Sequence, residues 1–274
     1  MDTSARRWLL GIVLGAVALG AAFYFVSQRG TTPVKPSGIV ATQAPTAPEA
    51  AAQQHYPVPT APEEATEPLP VLDESDAYVL QALAALAGSG LGDLIVPEHL
   101  IQRLVASIDA LTRPKVGEPT MALKPVAGSF AVAGPEDARV LDPANYRRYA
   151  RYAEIASHLD AKATVAAYVH LYPLFQQAYR QLGYPDASFN DRLVQVIDHL
   201  LEAPIAKQPV PLAQGSVFYE FADPELEQRS AGHKALMRMG PENAERIKAK
   251  LREIRAELVV VSRREASAEA KARD

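Results

Sequence analysis

Two carboxylates in this chain, Asp191 and Glu220, stand among residues that could make them chemical. Phe189 and Tyr184 lie close to the first in sequence, and Tyr219 and Phe221 flank the second. Aromatic neighbours desolvate a carboxyl group and raise its pKa, and cleavage of a glycosidic bond needs two carboxyls, or one buried acid, across a groove. Each residue also has a plain structural role. Asp191 follows Ser188 by three positions, the spacing of a capping box, and Glu220 is the outward member of the alternating run Val217-Phe218-Tyr219-Glu220-Phe221. The structural roles are favoured; Glu220 and Asp191 are the weak candidates for a catalytic acid.

Metal chemistry finds less support. His158 with Asp160, Asp198 with His199, and His170 supply ligand types for zinc. Two ligands on one helix face must be three or four positions apart, and neither pair is. No metal and no cofactor is expected. Phosphate loops, nucleophile elbows and HExxH pairs are absent from the sequence.

Tyrosine is the most uneven signal. Tyr146, Tyr149, Tyr152, Tyr168, Tyr172, Tyr179 and Tyr184 are seven of the 11 in the chain. Helical spacing places Tyr168, Tyr172 and Tyr179 on one face and Tyr146 and Tyr149 on another. Such a wall suits stacking on sugars or docking of a protein partner, since tyrosine joins apolar area to a polar tip. It suits a half-buried seam between helices better. Tyr146, Tyr149, Tyr168, Tyr172, Tyr179 and Tyr184 are therefore candidates for binding, with the seam as the favoured reading.

The elements that must position these residues are mostly helices. Asp73-Glu74-Ser75-Asp76 offers caps for a helix ending at Gly88, and Pro97 opens a second with the stripe Leu100, Ile101, Leu104, Val105, Ile108 and Leu111. Phe130-Ala131-Val132 and Arg139-Val140-Leu141 read as a small ribbon turning at Gly134-Pro135-Glu136-Asp137. Asp142-Pro143 and Asp223-Pro224 each pair a capping acid with proline at the first helical position. Asp160 starts a helix in which Pro173 removes the bond to the Val169 carbonyl, predicting a kink or a split. Ser188 starts the next. Helices follow over 224–238 and from Pro241, where Ala244, Ile247, Leu251, Ile254, Leu258 and Val261 could form a coiled-coil seam for a homo-oligomer or cover the domain's own core.

Ahead of the helices lies a different material. Residues 8–26, opening at Trp8 and closing at Val26, carry no charge and at ~1.5 Å per residue match the ~30 Å hydrocarbon core of a bilayer. A signal peptide is the competing reading, but the apolar run continues through Phe23-Tyr24-Phe25-Val26, which suits an anchor. Arg6 and Arg7 favour a cytoplasmic tail over residues 1–7 and a periplasmic remainder. Residues 27–72 hold nine of the chain's 22 prolines together with eight alanines and few large apolar groups, and read as a disordered linker. The near-balanced net charge of -4 shows no basic stripe and argues against nucleic acid, and the absence of cysteine removes disulfides.

Leu72-Asp73-Glu74-Ser75-Asp76, Leu141-Asp142-Pro143-Ala144-Asn145-Tyr146, Leu171-Tyr172-Pro173-Leu174-Phe175, Gly183-Tyr184-Pro185, Phe189-Asn190-Asp191-Arg192-Leu193, Tyr219-Glu220-Phe221-Ala222-Asp223-Pro224 and Arg238-Met239-Gly240-Pro241-Glu242-Asn243 resemble the signature of an uncharacterised bacterial family, number 3014 among the domains of unknown function. The resemblance implies a membrane anchor, a Pro-rich linker and a helical domain, and no activity. The expected fold is mainly α: a single-pass transmembrane helix over 8–26, the linker over 27–72, one domain of six to seven helices with a minor β-ribbon over 73–258, and a charged, disordered tail over 259–274. The expected function is a membrane-tethered binding or scaffolding module of the cell envelope, with an envelope protein or cell-wall partner. The alternative is a cell-wall glycan hydrolase or lyase using Glu220 or Asp191.

Overall fold

The computed structural model describes residues 54–59, 68–87, 89–116, 121–215 and 218–273. Among these, eight α-helices follow one another: α1 (Asp76–Ala87), α2 (Leu100–Ala110), α3 (Ala144–Ser157), α4 (Ala161–Gln181), α5 (Phe189–Leu201), α6 (Pro224–Glu227), α7 (Ala231–Arg238) and α8 (Pro241–Arg273). Four short strands, β1 (Val132–Ala133), β2 (Val140–Leu141), β3 (Leu212–Gln214) and β4 (Tyr219–Phe221), pair as two antiparallel ribbons. The mainly helical expectation holds, with eight helices in place of six or seven. No described helix is long and apolar enough to cross a membrane. The run 8–26 lies outside the described residues.

Helix α8 forms the spine. Its stripe of Ala244, Ile247, Leu251, Ile254 and Leu258 is buried against α3, α4 and α5, with α7 also alongside, so the apolar face is used within the chain. Burying each of the larger side chains contributes roughly 1.5–3 kcal/mol, which explains why this helix holds the layers together. Beyond Leu258 the span read as a disordered tail continues as helix to Arg273. Alanine, glutamate, lysine and arginine are strong helix formers, and Ser262 is still buried.

The second layer is α2, whose six stripe residues are at most 1 % exposed and pack on α4 and α5. Its start falls at Leu100 rather than Pro97 because His99 takes a left-handed backbone, φ 51°. The Asp76 carboxylate accepts the N–H groups of His99 (2.8 Å) and Leu100 (2.7 Å), so an acid on α1 caps α2 from across the fold. Asp160 and Ser188 cap α4 and α5 as predicted, accepting from Ala163 and Asp191. Helix α4 is not split at Pro173, which sits exposed while Leu171, Leu174 and Phe175 around it are buried and hold both halves in line.

The predicted ribbon forms, in register Val132 with Leu141. A second one was not predicted: β3 pairs with β4, and Val140 bridges to Pro211, joining the two ribbons over Leu141, Val210, Leu212, Phe221 and Met237. Pro211, which lacks an N–H, sits just ahead of β3 at an edge position, where the missing donor is tolerated. The predicted helix over 224–238 breaks in two, because Ser230 leaves the helical run and caps α7 by accepting from His233.

Candidate functional site

The first turn of α5 sends successive side chains to three different destinations. Ser188 begins it, and Gln176 of α4 fixes the entry, its Oε1 accepting from the Phe189 N–H (2.8 Å) and its Nε2 donating to the Ala187 carbonyl (2.8 Å). Phe189 is fully buried and stacks on Phe175, centroids 5.6 Å apart.

Asn190 and Asp191 turn to the chain's own residues 54–59. The Tyr56 N–H donates to Asp191 Oδ1 (2.7 Å), the Tyr56 carbonyl accepts from Asn190 Nδ2 (2.8 Å), and His55 Nδ1 lies 2.8 Å from Asp191 Oδ2. Both main-chain groups of one residue are thus held by adjacent side chains. The Tyr56 ring packs, half-buried, against the main core. Asn190 is 0 % exposed and its Oδ1 has no hydrogen-bond partner. Asp191 does not close a capping box on Ser188; it faces the strap that lies over it. Within the span read as a disordered linker, residues 54–59 are therefore bound to the domain.

Arg192 turns the other way, to α2. Its Nε donates to Asp109 Oδ1 (2.8 Å), and its Nη2 to the Asp109 carbonyl (2.8 Å) and Thr112 Oγ1 (2.6 Å). Asp109 also accepts from Arg113 and, at 3.4 Å, from the Tyr184 hydroxyl. A buried carboxylate needs such partners, and this one has two guanidiniums.

The tyrosines do not form one wall. Tyr168 and Tyr179 are buried beside Phe175, Phe189 and Tyr184, the last stacked on Tyr179 at 4.6 Å, which makes an aromatic seam between α4 and α5. Tyr172 and Tyr184 are its half-buried rim, and Tyr172 donates to Gln176. Burial pushes the Tyr179 phenol up to about 12, with the Asp109 charge adding to it, and burial likewise holds the Tyr168 phenol well above its ordinary value. Tyr149 is buried in the core on α3, Tyr152 near it, and Tyr146 lies over Gly240 in the ribbon cluster.

Glu220 is the exposed middle residue of β4. Tyr219 beside it stacks on Phe130 (6.3 Å), and Arg238 lies 5.1 Å over the Phe221 ring. Asp191 and Glu220 border different apolar clusters, the main core and the ribbon cluster, and no contact joins them among the described residues.

The histidines are likewise distributed. His158 bonds to the Glu154 carbonyl of its own helix, Asp160 caps α4, Asp198 pairs with Arg255, and His170 meets the Tyr78 hydroxyl at 2.9 Å. No group of three metal-ligating side chains occurs among the described residues. His199 and His233 stack at 4.1 Å, and Ser230 Oγ lies 2.7 Å from His199 Nε2. That contact has the reach of a nucleophile and base, but the Ser230 oxygen accepts the His233 N–H as the cap of α7 and is 7 % exposed.

Asn190, Arg192, Asp109 and the pair His55–Tyr56 were not singled out in the sequence. The polar run Asn190-Asp191-Arg192 between Phe189 and Leu193 is the available signal, since the first and fifth residues of a helix share its buried face and the three between them need other partners.

No curated protein and no solved structure matches this chain. A family model described as a protein of unknown function (DUF3014) matches residues 100–255, from the start of α2 into α8 and including both the Asn190–Asp191 pair and the Asp109–Arg192 contact. The match covers more than half of the chain, and the chain belongs to this family.

Proposed function

We propose that this chain is a membrane-tethered binding or scaffolding module of the bacterial cell envelope. Residues 8–26 anchor it once in the inner membrane, residues 1–7 stay in the cytoplasm, and the helical domain works in the periplasm. The observation that carries the binding reading is the grip of Asn190 and Asp191 on both main-chain groups of Tyr56. Paired contacts to one residue's N–H and C=O are the chemistry of recognising an extended chain, the way an added strand is read at a sheet edge. A hydrogen bond to a charged group is worth roughly 1.5–3 kcal/mol, so the Asp191 contact is a substantial part of such a grip. The tether sets the effective concentration at which the domain meets its partner near the membrane.

The competing reading is a glycan hydrolase or lyase acting through Glu220 or Asp191. Purified peptidoglycan incubated with the full-length protein separates the two. The binding reading expects no release of soluble fragments, and the same result from Glu220→Gln and Asp191→Asn. Release by the native protein that Glu220→Gln or Asp191→Asn abolishes overturns it.

A further inference from the structure

The strap over α5 has the makings of a ligand. Its sequence is Gln54-His55-Tyr56-Pro57-Val58-Pro59. Proline fixes its own φ and drives the residue before it into extended backbone, so Tyr56 ahead of Pro57 is presented extended before it meets the domain. That lowers the ordering cost of binding.

The receiving surface is built rather than incidental. Asn190 is completely buried, is spaced by the core residue Phe189 on one side and leaves Oδ1 unpartnered, while Asp191 beside it accepts from both Tyr56 and His55. Main-chain contacts accept any extended peptide. The ring on the core and the imidazole on Asp191 select among them.

We propose, building on the binding-module reading, that the Asn190–Asp191 face of α5 is a receptor for extended peptides of aromatic–proline type, and that residues 54–59 are a resident copy which an incoming partner must displace. The chain's own segment competes at the high effective concentration of an attached ligand, on the order of millimolar for short connections. The native protein is then closed to weak ligands, and emptying the site opens it.

The test uses the full-length protein and a fluorescent hexapeptide of sequence Gln-His-Tyr-Pro-Val-Pro, blocked at both ends, followed by anisotropy. Tyr56→Ala removes the resident ring and should bind the hexapeptide at least 10-fold more tightly than the native protein. Adding Asn190→Ala should abolish that gain, and replacing the peptide's tyrosine by alanine should abolish binding. Equal affinity of native and Tyr56→Ala proteins, or binding indifferent to Asn190, overturns the proposal. Hydrogen exchange at the Tyr56 amide of the native protein needs no variant: saturating hexapeptide should speed it by freeing the strap, and an unchanged rate overturns displacement. Failure here without release of peptidoglycan fragments refutes the peptide class alone, whereas such release refutes the binding module itself.

Discussion

Replacing Asp109 by alanine should be among the most damaging single changes in the domain, and its cost can be apportioned. The carboxylate side chain is 3 % exposed and serves two guanidiniums of unequal burial, Arg192 at 17 % and Arg113 at 53 %. Removing one partner of a buried pair costs roughly 3–5 kcal/mol because the other charge is left unpaired, whereas an exposed pair is worth about 0.2–1 kcal/mol. We therefore predict ~3–5 kcal/mol for Asp109→Ala, nearly all of it from the Arg192 side. Arg113→Ala should cost under about 1 kcal/mol. A double-mutant cycle makes the division explicit: coupling between positions 109 and 192 should exceed about 2 kcal/mol, and that between 109 and 113 should stay below about 1 kcal/mol. Urea unfolding of the purified full-length protein followed by far-UV circular dichroism reads these differences. With slopes of ~2–3 kcal/mol per molar, the Asp109→Ala midpoint should fall by roughly 1–2.5 M at unchanged slope. A loss under about 1 kcal/mol, or an Arg113→Ala cost above that of Arg192→Ala, refutes the assignment of Asp109 as the buried link between α2 and α5.

Three further outcomes are expected. Gly240→Ala should destabilise by about 2–4 kcal/mol in thermal unfolding, because Gly240 has φ +86° and a Cβ there would lie 2.5 Å from the Tyr146 ring; an unchanged Tm would contradict the close contact. Pro173→Ala should stabilise by about 1–2 kcal/mol, since Pro173 is exposed inside α4 and only the backbone bond is restored; a lower Tm would mean that the ring has a packing role. The pKa values of His199, His233 and His170 are lowered, in each case first by burial, with His199 further lowered by His233 and His233 by Arg229 and Lys248 against the opposing charge of Glu202. The unfolded chain then binds more protons below pH ~6.5 than the folded one, so stability is fully present above that pH and is lost as pH falls from there through the folded values. Unfolding scans between pH 8 and 4 should show this, with the fall reduced in His233→Gln, and a Tm that rises on acidification from pH 6.5 would reverse the sign.

What could be read from the sequence was local. Asp160, Ser188 and Asp223 act on N–H groups two or three residues away, so their type and position suffice to place α4, α5 and α6. The stripe of α2 is legible for the same reason, its period being a property of one helix. Asp76 was legible only in part. It stands at the start of α1 as the capping cluster predicts, yet its carboxylate serves α2, and nothing within a helical turn marks a partner 23 positions on. Gly232, just past the break at Ser230, lies where a Cβ would come within 2.4 Å of the Leu200 side chain, a packing fact absent from any single segment. The strap departs from its composition for a further reason. Composition rich in proline and alanine argues against a core of its own, and residues 54–59 form none; they borrow one, through Tyr56, from α5.

The strap and the buried ion pair meet at one turn of α5. A grip on a flexible segment is tight only if the gripping groups are already fixed, because ordering them at the moment of binding subtracts from the affinity. Asn190 and Asp191 are fixed on both sides, by Phe189 and Gln176 toward α4 and by Arg192 and Asp109 toward α2. The buried ion pair, which is a poor source of stability compared with apolar packing, gains a reason to exist if it sets the rotation of α5 about its axis. Asp109→Asn, milder than the alanine change, should then leave much of the fold intact while loosening the strap. Faster exchange of the Tyr56 amide in this variant, with Asn190 and Asp191 untouched, would tie the clamp to the ion pair beneath it, and an unchanged rate would separate them.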